Sequence, residues 1–124
     1  MAVLNNNSLA TSPIATVTCD GSKDSRAMMY ELAQLIDLSK ITAGSRLCFD
    51  AGSSKDYLDF RGFIDANTVE YIGFYTGNPF LMIVYRLNKT DSTKCGYYIN
   101  PTNGNISDSS SVVRGSGMTF SLFY

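Results

Sequence analysis

Apolar positions repeat at two different periods along this chain, and the change of period divides it. Between Ser25 and Lys40 the apolar residues Met28, Met29, Leu32, Leu35 and Ile36 recur at helical spacing, with Arg26, Glu31, Gln34 and Asp37 mostly on the other side. The stripe predicts one amphipathic helix over residues 25–40. Asp24 or Ser25 can accept an orphan backbone N–H of its first turn, Lys40 complements the negative end of the helix dipole, and Gly44 terminates it. A small domain must cover one face of its sheet with something, so the stripe is read as core and not as a cofactor face.

Elsewhere the period is two. A β-branched run from Ile14 to Cys19 predicts a short strand that stops at the Asp20-Gly21 turn, and Leu47-Cys48-Phe49 centres another over residues 45–50. Residues 57–64 alternate, with Leu58, Phe60 and Ile64 on one face and Tyr57, Asp59, Arg61 and Phe63 on the other. A hairpin connection at Asp65-Ala66-Asn67 leads into residues 68–76, where Val69, Tyr71 and Tyr75 oppose Glu70, Ile72 and Phe74. Residues 80–87 are apolar on both faces and predict an internal strand, with the helix over one side. Strands are also expected over 94–100, weakly over 105–113, and over 118–124, with the Asn103-Gly104 turn between.

Short connections require antiparallel pairing, and one helix cannot make repeated crossovers. The fold class is therefore α+β: a single helix packed on a mainly antiparallel β-meander of six to eight short strands. Residues 1–12, rich in Asn and Ser, read as a flexible N-terminal arm, and residues 13–124 as a single domain.

Composition narrows the chemistry more than it identifies it. The 124 residues include no histidine, which excludes Ser/His/Asp and Cys/His nucleophiles and imidazole metal ligands. Cys19, Cys48 and Cys95 lie far apart and outside any C-x-x-C pair, so they read as small buried hydrophobes and not as a metal set. Asp50, Asp56, Asp59 and Asp65 fall close together in sequence, but three positions apart on a strand puts Asp56 and Asp59 on opposite faces, against a two-carboxylate site. Gly21-Ser22-Lys23 and Gly52-Ser53-Ser54-Lys55 lack the first glycine of a phosphate loop. No catalytic residues, metal or cofactor are assigned.

Ten Lys and Arg, scattered singly, against eleven Asp and Glu give a net charge of −1, without the basic stripe that phosphate backbones require. Charged residues are only 17% of the chain, and 15 Ser, 10 Thr and 9 Asn take their place. Such neutral-polar usage suits a small virion or phage component. No leader or membrane-spanning run is legible, so a cytoplasmic location is expected, or the virion or host cell.

Tyr57, Phe63, Ile72 and Phe74 fall opposite the expected core, which makes the sheet apolar on both sides. These four form the candidate interaction surface. The expected function is a non-enzymatic structural or protein-interaction subunit that self-associates or docks on a larger assembly, with a protein partner or a second copy. The arm and the C-terminal strand are further candidates for pairing with a neighbour. The alternative is a ligand- or single-stranded nucleic-acid-binding module using the aromatic sheet face. Arg61-Gly62-Phe63 fits the opening of an RNA-recognition strand, but Ile64-Asp65 follow where a small residue and an aromatic-Val pair are required, and nucleic acid is disfavoured.

Overall fold

The computed structural model describes residues 13–19, 21–50, 55–75, 78–99 and 119–124. The expected arm over 1–12 and the weak strand over 105–113 lie outside them. In chain order the elements are β1 (Ala15–Thr18), α1 (Ser25–Gln34), β2 (Arg46–Asp50), β3 (Lys55–Asp65), β4 (Thr68–Tyr75), β5 (Asn78–Asn88), β6 (Gly96–Ile99) and β7 (Thr119–Phe123). The architecture is α+β, with one antiparallel sheet of seven strands among the described residues, in the order β1-β7-β2-β3-β4-β5-β6.

The helix begins as its sequence dictates: Asp24 accepts the Ala27 N–H at 2.9 Å. It ends earlier than the pattern predicts. The α-helix stops at Gln34, Leu35 caps it, and a separate 3-10 turn covers Leu38–Lys40, with the Ser39 N–H donating to the Asp37 carboxylate. Leu35 is consequently 57% exposed, and Ala33 takes its place in the core beside Met28, Met29, Leu32 and Ile36. The cation at the helix C-terminus is not Lys40 but Lys89 from the end of β5, whose Nζ donates to the carbonyl oxygens of Ala33 and Ile36.

Strands β2 to β6 follow one another across the sheet, and β7 breaks that order. It lies between β1 and β2, with Leu122 opposite Ala15 on one side and Leu47 on the other. The C-terminal strand, expected as a candidate for pairing with a neighbour, is thus already paired on both edges within its own chain. The residues expected as one strand over 94–100 divide into a 3-10 turn at Ser92–Lys94 and the short β6, and Ile99 is exposed.

Helix α1 touches β5 and β6 near one edge of the sheet and β1 and β7 near the other. Seven strands span roughly 29 Å when flat, more than twice the width of a helix. The sheet must therefore curl around α1. The concave row Val17, Phe120, Leu122, Leu47, Leu58, Val69, Tyr71, Ile83, Tyr85 and Leu87 joins the helix in a single core. Tyr71 is buried there with its hydroxyl 2.7 Å from Ser45 Oγ, which also donates to the Phe123 carbonyl, linking β4, β7 and the approach to β2. Burial pushes the Tyr71 phenol well above its ordinary pKa.

Curling is assisted where the β3–β4 ladder slips. Register shifts separate Phe60 from Gly62 and Phe63 from Asp65. A bulge increases local twist and bends its strand. Gly62 sits at the first shift with φ 157, a backbone conformation that L side chains rarely adopt.

Candidate interaction surface

The face of the sheet opposite α1 carries the alternate positions of every strand. One cross-strand row reads Phe123, Arg46, Asp59, Ile72, Val84 and Tyr98. The next contains Glu70, opposite Gly62 on one side and Arg86 on the other.

The four residues singled out by alternation do not form one exposed face. Tyr57 lies on the convex side but is only 6% exposed, beside Cys48 across the β2–β3 ladder, and burial raises its phenol pKa. Ile72 is half-buried between Asp59 and Val84. Phe74 is opposite Met82 by backbone register, and its side chain is outside the described residues. Phe63 is moved to the other side. The bulge at Arg61 reverses the alternation, so Phe63 pairs with Val69 and its ring lies 5.7 Å from that of Phe60, both on the concave side. Phe63 and its neighbour Ile64 are nevertheless 43% and 54% exposed, because they lie near the end of the β3–β4 hairpin, past the cover of the helix.

The convex face instead holds a charged cluster that alternation did not single out. Glu70 is 5% exposed, and its Oε2 accepts from Arg86 Nε and Nη2, each at 3.1 Å, and from the Tyr98 hydroxyl at 2.7 Å. Arg61 Nη1 lies 3.5 Å from Glu70 Oε1 and donates to the Tyr98 hydroxyl at 2.9 Å. The Arg86 guanidinium carbon is 5.5 Å from the centre of the Tyr98 ring. Burial, with the adjacent Glu70 carboxylate, pushes the Tyr98 phenol up to about 12. A buried carboxylate is stable only if paired and hydrogen-bonded, and two guanidiniums and a phenol meet that need here. The sequence did carry a signal: Glu70 is one of only two glutamates, and the β4–β5 hairpin places Arg86 directly across from it.

Beside this cluster lies a groove of about 300 Å³ lined by Ile64, Asp65, Thr68, Arg86 and Lys94. A second cavity of about 360 Å³ lies between the hairpin turn and the 3-10 turn after α1, next to Lys89. The aspartates are held locally. Asp59 pairs with Arg46 at 3.3 Å, whereas Asp65 accepts the Asn67 N–H in the hairpin turn, and hydrogen bonding from Thr68 and Asn67 holds its carboxyl below the usual range. Asp56 faces Phe49 and Asp59 faces Arg46, so the two occupy opposite sides of β3, as their spacing requires. Among the described residues, no three Cys, Asp or Glu side chains come together in a way that could hold a metal ion. The three cysteines are buried thiols, none of them in a disulfide. No helix of the described residues is long and apolar enough to cross a membrane.

Comparison of the chain with protein families, with curated proteins and with solved structures finds no match in any of the three.

Proposed function

We propose that the chain is a non-enzymatic structural or protein-interaction subunit that self-associates or docks on a larger assembly, as a small viral or phage component does. Its contact surface in this reading is the end of the β3–β4 hairpin. The supporting observation is the exposure of two large apolar residues in succession, Phe63 and Ile64. Apolar residues scattered singly on a surface need no explanation, but two large ones together at a bulged hairpin end form a contiguous apolar patch. The fold beneath supports them: Phe60 lies behind Phe63 and meets Tyr71 edge to face, with ring centres 6.2 Å apart.

Self-association does not rest on β7, which is already paired on both sides. It rests on side chains at the hairpin end. The buried rings of Tyr57 and Tyr98 favour this reading over base stacking on the convex face, because a stacking platform must expose the flat of its rings.

Sedimentation velocity on the full chain and on a Phe63→Ser/Ile64→Ser double variant, over a dilution series, tests the proposal. The native chain is expected to associate with rising concentration and the variant to remain monomeric with an unchanged far-ultraviolet spectrum. A native chain that stays monomeric throughout removes self-association, and a variant that associates equally well removes this surface.

A further inference from the structure

We propose that the groove beside the Glu70 cluster receives the Phe63 ring of a second copy of this chain, so that copies join head to tail. The inference rests on the reading of the chain as a self-associating subunit and names where its exposed ring goes. The groove has no net charge to offer an ionic ligand: Arg86 is paired with Glu70, and Lys94 faces Asp65 in the groove and Asp91 at the cap of its own turn. With its charges answered from within and one wall made by the half-exposed Ile64, it suits a neutral, apolar side chain. The Phe63 ring has that chemistry and stands 43% exposed on the same hairpin. A net charge of −1 sets up little repulsion between copies.

Size and surface agree with that occupant. A cavity of about 150 Å³ holds a benzene ring, and the groove measures about 300 Å³. Arg86 lines it with a planar guanidinium that Glu70 holds at Nε and Nη2, so an arriving ring meets a cation already in place. The groove is continuous with the exposed hairpin patch, since Ile64 belongs to both. Ring and groove nevertheless lie on opposite sides of the sheet. Phe63 pairs with Val69 and meets Phe60 on the concave side, whereas Thr68 and Arg86 of the groove share the convex side with Glu70. A copy whose ring is seated in its neighbour keeps its own groove for a third, and such a heterologous contact builds rings or filaments and not a closed two-fold pair.

The test is complementation between two full-length variants, followed by sedimentation velocity over a dilution series. Phe63→Ser removes the ring and leaves the groove; Lys94→Trp, at an exposed position, fills the groove and leaves the ring. The native chain is expected to pass beyond a dimer as concentration rises, and each variant alone to stay monomeric with an unchanged far-ultraviolet spectrum. Mixed in equal amounts, the two are expected to form a one-to-one dimer and nothing larger, because a single productive ring and a single open groove remain. Lys94→Gln empties the position of charge without filling the groove, and is expected to assemble as the native chain does. A native assembly that stops at a dimer, a mixture that stays monomeric, Lys94→Trp assembling as the native chain does, or loss of assembly in Lys94→Gln overturns the proposal. Its failure is distinct from failure of the subunit reading: if Lys94→Trp assembles normally while Phe63→Ser/Ile64→Ser does not, only the groove is lost, whereas a native chain that is monomeric throughout removes both.

Discussion

The Nζ of Lys89 lies 2.9 Å from the carbonyl oxygen of Ala33, so the residue that follows β5 closes the C-terminal end of α1 from 56 positions away. The final carbonyls of a helix have no partners within it, and an ammonium there answers both the missing hydrogen bonds and the negative end of the dipole. Lys89→Met keeps the aliphatic stem and removes the charge. We expect a loss of about 1–2 kcal/mol, read as a lower urea midpoint at unchanged slope. An unshifted midpoint rejects this role.

That contact also shows where the sequence stops being legible. The start of α1 is written locally, in Asp24 and the stripe that follows, and so is the alternation of the strands. The end of α1 is decided by Lys89 and by the Asp37 turn, and periodicity cannot see a side chain that arrives from another strand. The position of β7 is equally non-local, since alternation fixes which residues face the core but not which strands lie beside them. Alternation alone puts Phe63 on the convex side, but the extra residue at Arg61 reverses Gly62 and Phe63 until the second shift before Asp65 restores the pattern. An isolated glycine inside a strand pattern, here Gly62, is the available signal for such a bulge. The Glu70 cluster is hidden for a different reason: its residues come from four strands and converge only through register.

Glu70 holds two arginines, so its charge matters more than its volume. Glu70→Gln retains the shape and leaves Arg86 partly buried without a counter-charge. The expected cost is about 3 kcal/mol in chemical denaturation. Replacing both partners, as Glu70→Leu/Arg86→Met, is expected to recover most of that loss, because an apolar pair carries no desolvation penalty. If the double variant is as unstable as the single one, the pair does more than balance charge.

Tyrosine ionisation places a second limit on stability. The Tyr98 phenol is pushed up to about 12 in the folded chain, and Tyr71 is raised further by burial. An unfolded phenol titrates near about 10. Below that pH both states are protonated and the stabilisation is complete; as pH rises beyond it the unfolded chain loses protons first, and stability falls toward pH 12. Tyr98→Phe is expected to flatten part of this alkaline slope and leave the Tyr71 part. The acid side runs oppositely. Asp37, Asp65 and Asp91 have lowered pKa values through hydrogen bonds from Ser39, Thr68 and Thr93, so their contribution is present above about 4 and fades as they protonate. Urea midpoints measured across the pH range check both slopes, and an alkaline slope identical in Tyr98→Phe contradicts the assignment.

Two glycines in the β3–β4 region resist substitution for different reasons, and a paired substitution separates them. A methyl group at Gly62 meets nothing within 4 Å, so Gly62→Ala is resisted only by its φ of 157. About 1–2 kcal/mol is expected, with no neighbour able to relieve it. At Gly73 the backbone is ordinary, but an added Cβ lies 3.1 Å from Leu58 Cγ on the adjacent strand. Gly73→Ala therefore pushes on a fully buried side chain, and shortening that side chain is the remedy. In a double-mutant cycle, Leu58→Val is expected to couple favourably with Gly73→Ala and to be additive with Gly62→Ala. Coupling at Gly62, or strict additivity at Gly73, shows that the strain has been placed on the wrong glycine.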